Sequence, residues 1–289
     1  MKCGFIGLGV MGYPMAGHLQ NNGHQVTVYN RTQEKAKTWQ QTYSGAFTET
    51  PRQAAENADY VMVCVGNDDD VRSVFYGEDG ILAGLQPGTV VIDHTTASAE
   101  LARELAEAVA KQQGHFLDAP VSGGQAGAEN GVLTTMIGGE QSIAEQADEL
   151  LQCYAKTRQW MGEAGTGQLA KMVNQICIAG VVQGLAEGLS FARKVGLNPD
   201  SLIAAISQGA AGSWQMVNRY QTMWQGEYEH GFAVDWMRKD LKIALTEADA
   251  KGVSLPLTAL VDQFYAEVQK MGGSRWDTSS LLARLERDD

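Results

Sequence analysis

The chain reads as an α/β protein, a doubly wound domain followed by an all-α domain, with one long helix joining them. Three observations predict this. A strand, a glycine-rich turn, a helix and a second strand open the chain between residues 3 and 32. Short β-rich runs then alternate with helical ones to about residue 160, the pattern of a parallel sheet covered on both faces. After residue 165 the β-rich runs stop and a helical pattern begins, running from 166 to 195. The expected division is therefore 1–164 and 165–289.

The opening segment is the most specific of the three. The apolar run 3–6 enters a turn of Gly7, Leu8, Gly9, Val10, Met11 and Gly12, the spacing G-x-G-x-x-G. The first glycine permits the tight turn, the second lets the backbone approach a pyrophosphate, and the third lets helix pack close to strand. The pyrophosphate then meets the N–H groups and positive dipole end of the new helix. Pro14, in the first turn of that helix, costs little because its N–H would lack an intrahelical partner anyway. A plain strand–turn–helix is the blander alternative; placement within a βαβ pattern favours a Rossmann-type dinucleotide site. The second strand ends in Asn30, Arg31 and Thr32 with no acid at its tip. A site selective for NAD usually places Asp or Glu there, whereas Arg31 can pair with a 2′-phosphate. Unless Arg31 is merely solvated, the expected cofactor is NADP(H) rather than NAD(H).

Further strands are expected at 60–65, 90–93, 116–117, 133–137 and 157–160, with amphipathic helices at 99–111 and 142–153. Asn67 followed by Asp68, Asp69 and Asp70 reads as a helix start, the acids capping and solvating rather than binding a metal. Gly196 and Pro199 end the long helix. Shorter helices should follow at 199–208, 214–224, 235–251 and 256–271. A nucleotide domain beside a helical one is expected to leave a substrate cleft between them.

Bulk properties narrow the classes. At 289 residues, 44% hydrophobic and 19% charged, the chain suits two globular domains. A net charge of −12 argues against a general nucleic-acid or anionic-membrane surface, though not against a locally positive pocket. Cysteines at 3, 64, 153 and 177 form no C-x-x-C pair, and no H-E-x-x-H occurs, so no metal is expected. No secretory signal is visible at the first residues. The apolar stretch 176–192 carries Gln183 and Glu187 and reads as a buried helix. A cytoplasmic compartment with reduced thiols is expected.

Two further motifs can carry chemistry. In DAPVSGGQAGAENG, residues 118–131, Ser122, Gly123 and Gly124 offer a hydroxyl and several N–H donors to a small carboxylate, or form only a glycine-rich turn. In GEAGTGQLAKMVNQ, residues 162–175, Lys171, Asn174 and Gln175 share one helical face. Alone, Lys171 would read as a snorkelling lysine. Beside a nicotinamide site it reads as the proton donor that carbonyl reduction requires, its pKa lowered by partial desolvation.

These motifs, with DHTTAS at 93–98 and WMRKDL at 236–241, resemble in order and spacing the β-hydroxyacid dehydrogenase family, that of 3-hydroxyisobutyrate dehydrogenase and tartronate semialdehyde (glyoxylate) reductase. The resemblance implies that Lys171 is the catalytic acid and base. It implies that Ser122, Gly123 and Gly124 hold the substrate carboxylate, and that the adjacent amides Asn174 and Gln175 position substrate. Thr96 should lie beside the nicotinamide ribose, Lys239 should reach the cofactor from the helical domain, and Val65, Gly66 and Asn67 should pass the adenosine half. It also implies a homodimer or homotetramer assembled through the helical domain, and small aldehyde acids as substrates: methylmalonate, tartronate or succinate semialdehyde, or glyoxylate. Two departures stand out. Gln175 replaces a usual asparagine, and Trp236 a usual aliphatic residue. Trp214 is a further candidate for the substrate pocket, or else a core aromatic. An imine reductase and a catalytically silent NADP(H)-binding module are the competing readings; both typically lack the lysine.

Overall fold

The computed structural model describes residues 1–287. Nine strands form one sheet: β1 (Lys2–Ile6), β2 (Gln25–Tyr29), β3 (Ala46–Phe47), β4 (Tyr60–Val63), β5 (Val90–Asp93), β6 (His115–Asp118), β7 (Val121–Ser122), β8 (Leu133–Gly139) and β9 (Ala155–Gly162). Their order is β3-β2-β1-β4-β5-β6-β8-β7, with β9 also on β8. From β3 to β6 every pairing is parallel. The parallel strands alternate their side chains between two cores. Phe5, Val28, Met62 and Ile92 face one; Ile6, Val61, Val63 and Val91 face the other. Burial on both faces explains why these strands read as continuous apolar runs.

The far edge departs from the all-parallel expectation. β8 runs antiparallel to β6 and β7, and β9 runs parallel to β8. The reason lies in loop length. Only residues 123–132 separate β7 from β8, and they hold a six-residue helix, Gly124–Glu129. That is shorter than the dozen or more residues a parallel crossover needs.

The second unit is helical: Pro199–Ile206, Trp214–Gln225, Val234–Ala250, Pro256–Lys270 and Leu281–Leu285 follow the long helix Thr166–Lys194. Asn198 and Ser213 cap two of these by accepting the Ser201 and Met216 N–H groups. Met237, Leu241, Val261 and Tyr265 centre its own core. By length and composition the long helix could cross a membrane, yet Gln168, Lys171, Gln175 and Gln183 are buried along it.

By packing, compact units divide between Lys171 and Met172, inside that helix. The helix's first turn is bonded to strand ends of the first unit, and so belongs with them.

Candidate active site

The carboxyl ends of the parallel strands carry the site of the first unit. β1 lies between β2 and β4, the point where strand order reverses and where such sheets bind nucleotides. Gly7, at φ +99°, donates its N–H to the Tyr29 carbonyl at 2.9 Å. A Cβ on Gly7 would lie 2.2 Å from the Cys64 carbonyl oxygen, and one on Gly12 would lie 2.1 Å from that of Gly7. Those two glycines are dictated by the protein's own backbone. Gly9 is different: a Cβ there would meet nothing within 4 Å. The helix Gly12–Asn21 starts beside it at Met11 with no side-chain cap. An open backbone at a helix N-terminus left uncapped by any side chain fits a pyrophosphate. Leu8 and Val10 complete the turn, Leu8 buried and Val10 exposed.

At the tip of β2 the three expected cofactor residues divide. Asn30 braces the turn, its Oδ1 accepting the Leu8 N–H at 2.9 Å and its amide donating to the Thr32 carbonyl. Arg31 is 83% exposed at its side chain and pairs with Asp70 at 3.1 Å. Thr32 is the N-cap of helix Gln33–Tyr43 and makes no side-chain cap bond.

Beyond β4, Val65 donates its N–H to Thr95 Oγ1 at 3.0 Å, and Gly66 leads into Asn67. The Asn67 side chain caps helix Asp68–Phe75 by accepting the Asp70 N–H, as its sequence context suggested. That work orders the loop and commits its Oδ1 there. Beyond β5, Asp93 Oδ1 accepts the Thr95 N–H at 2.9 Å, and Thr96 follows, half-buried.

Asp93 and Asp118 are register partners at the tips of β5 and β6. Burial pushes the Asp93 carboxyl up to about 7, with the Thr95 hydrogen bonds opposing and Asp118 adding to the rise. Burial likewise raises Asp118 to about 6, against the N–H groups of Gly165 and Gln168 that favour its charged form. Between them His94 donates from Nδ1 to the Ala119 carbonyl and accepts the Tyr154 hydroxyl at Nε2. Burial lowers it to about 4, so it is a neutral brace. Ser122 ends β7; Gly123 and Gly124, at φ +131° and +62°, begin the short helix. Nothing lies within 4 Å of a Cβ built on Gly124, which leaves its backbone approachable.

Asp118 also anchors the long helix. Its Oδ1 accepts the Gly165 N–H at 2.7 Å and its Oδ2 the Gln168 N–H at 2.9 Å, satisfying two orphan donors of the helix start. The Gln168 side chain donates to the Thr95 carbonyl at 2.7 Å and accepts the Ala97 N–H at 3.1 Å. One turn later Lys171 is only 7% exposed. No local motif marks out Gln168 and Asp118, although Gln168 stands at i−3 from the lysine, on its face.

In the helical unit, Asn174 donates to Gln175 Oε1 at 2.8 Å and Gln175 donates to Asp240 at 2.6 Å. Asp240 in turn lies 3.0 Å from Lys239 Nζ. The longer Gln175 thus spans to a buried carboxylate. Asp240, beside Lys239 in sequence, is a third residue that no local pattern marks out. Trp214 is 56% exposed, with Arg219 over its ring, which rules out the core-aromatic alternative. Among the described residues no cluster of three or more His, Cys, Asp or Glu side chains could hold a metal.

Comparison with known proteins follows this geometry. The NAD binding domain of 6-phosphogluconate dehydrogenase matches residues 2–162. The NAD-binding domain of NADP-dependent 3-hydroxyisobutyrate dehydrogenase matches residues 165–285. An uncharacterized oxidoreductase of Shewanella frigidimarina is 60% identical over 99% of this chain and 98% of its own. The 2-hydroxy-3-oxopropionate reductase of Escherichia coli is 34% identical over 99% and 97%. The Mycobacterium tuberculosis 3-hydroxyisobutyrate dehydrogenase solved with L-serine superposes with a TM-score of 0.88 at 30% identity, covering 99% of each chain. An imine reductase from Myxococcus stipitatus shares the fold alone, at 16% identity and a TM-score of 0.64 over 99% of each chain.

Proposed function

The chain belongs to the β-hydroxyacid dehydrogenase family of NAD(P)-dependent oxidoreductases, and from that premise we propose that it interconverts a small 3-hydroxy (or related hydroxy) carboxylic acid and its aldehyde acid with NADP(H), Lys171 serving as general acid and base. The observation that carries the reading is a buried lysine one turn into a helix whose start is bonded to the strand tips. A lysine held in a buried, fixed position can exchange a proton with a bound carbonyl or alcohol oxygen.

The turn Gly7–Gly12 would hold the pyrophosphate, Thr96 and the loop Val65–Asn67 would flank the nucleoside halves, and Lys239 would contact the cofactor. Hydride for the carbonyl carbon comes from the nicotinamide when the cofactor is bound. Ser122, Gly123 and Gly124 hold the substrate carboxylate through hydroxyl and N–H donors, and Asn174 orients the substrate. In reduction the Lys171 ammonium gives its proton to the carbonyl oxygen; in oxidation neutral Lys171 takes the alcohol proton back. Lys171→Ala should cost orders of magnitude in kcat while NADPH still quenches protein fluorescence with near-native affinity. Wild-type turnover in that variant sinks the assignment. A rate screen of tartronate, methylmalonate and succinate semialdehydes and glyoxylate identifies the acid; a preference for cyclic imines would replace the reading.

Preference for NADP(H) is supported by the acid-free tip of β2 and by Arg31. Its bridge to Asp70 is exposed, so it contributes at most about 1 kcal/mol and yields readily to a 2′-phosphate. Arg31→Ala should weaken NADPH more than NADH; equal losses overturn the preference. The oligomer expected of the family is supported by an exposed stripe on the long helix, Val173, Val181 and Phe191 with Cys177, suited to a second copy of the chain.

A further inference from the structure

We propose that Gln168 is a positioning residue that fixes Lys171 and the loop around Thr96 as one unit, an inference that rests on the reading of Lys171 as general acid and base. Gln168 is buried and uses three hydrogen-bonding groups at once. Its backbone N–H goes to Asp118 Oδ2 at 2.9 Å. Its side-chain amide donates to the carbonyl of Thr95 at 2.7 Å and accepts the N–H of Ala97 at 3.1 Å. The two side-chain bonds therefore grip the main chain on either side of Thr96. The same loop is tied onward, because Thr95 Oγ1 receives the Val65 N–H and Asp93 receives the Thr95 N–H.

Only an amide of this length supplies a donor and an acceptor to two main-chain groups in this arrangement. Glutamate keeps the acceptor toward Ala97 but sets a carboxylate oxygen against the Thr95 carbonyl. Leucine loses both bonds and leaves two buried main-chain groups unpaired. Lys171 follows at i+3, on the same helical face, so the angle at which the helix start meets the loop sets where the ammonium group lies. Proton transfer tolerates little error: a displacement of about 1 Å costs on the order of 100-fold in rate.

The experiment uses the full chain with NADPH and whichever of the four aldehyde acids it reduces fastest, in wild type, Q168L, Q168E, K171A and the double variant Q168L/K171A. Q168L should lower kcat by roughly 10- to 100-fold, with the KM of the acid within about threefold of wild type, and Q168E should fall between. Because Gln168 acts through Lys171, the double variant should be no slower than K171A alone. Multiplying losses in the double variant, or wild-type kcat in both Q168L and Q168E, overturn the positioning role. Should Q168L fail to fold, Q168E alone carries the kcat comparison. Wild-type turnover in K171A overturns the reading of Lys171 and this proposal with it, whereas a collapse in K171A with no change in the Gln168 variants overturns this proposal alone.

Discussion

The two units hold their functional groups by different means. In the first, side chains grip main chain: Asn30 holds Leu8, Thr95 holds Val65, and Asp118 holds Gly165 and Gln168. In the second, side chains grip each other: Asn174 to Gln175, Gln175 to Asp240, Asp240 to Lys239, and Arg238 to Asp262 and Gln269. Main-chain anchors follow from strand order and leave little room for variation. Side-chain anchors depend on both partners, as the Gln175–Asp240 bond illustrates. The nucleotide half is thus fixed by topology, and the helical half can be retuned by substitution.

The sharpest way to break this contrast is at the glycine turn. Gly12→Ala drives a Cβ into the Gly7 carbonyl and should cost about 3 kcal/mol of stability along with cofactor binding. Gly9→Ala meets no protein atom, so its melting temperature should hold, within about 0.5 kcal/mol, while NADPH affinity falls about tenfold or more. Equal melting losses in the two variants would mean that the turn is not set by its own backbone. Next in size is Gln175→Ala, which strips a donor from buried Asp240 and should cost about 2–3 kcal/mol in denaturant unfolding. An unchanged midpoint would deny the side-chain web its role.

A third test separates pH profiles. Asp93 rises from 3.8 to about 7 on folding, so the folded state binds its proton more tightly. Its contribution is present in full below pH 3.8 and is lost as pH rises through about 7. Asp93→Asn keeps the acceptor for Thr95 and removes the charge. Its melting temperature should fall less than that of wild type between pH 5 and 8, and parallel curves would refute the assignment. His94 works in the opposite sense: depressed to about 4, it contributes above pH 6.5 and its contribution is lost as pH falls through 4.

Much of this was legible beforehand because it is written in local pattern. The glycine spacing, the apolar runs of β1, β4 and β5, the Asn67 cap and the stop at Gly196 and Pro199 all act within a few residues. What escaped was either too short or too distant. β3 and β7 have two residues each, too few to show alternation, and Leu281–Leu285 is too short to show a helical period. Asp118 meets Gln168 across 50 residues, Gln175 meets Asp240 across 65, and Arg31 meets Asp70 across 39. No periodicity reports such pairs. The reversed edge at β7 and β8 escaped for a related reason: its strands look like any others until the connection between them is measured.

The position of the unit boundary has a consequence for how such chains can exchange parts. A graft spliced at residue 165 would take Gln168 and Lys171 from one parent and Asp118 and Thr95 from the other, parting Lys171 from the groups that moor its helix start. A splice beyond Lys171 keeps that block whole. Exchange beyond that point leaves the bonds among Asp118, Thr95 and Gln168 undivided, whatever the helical half contributes.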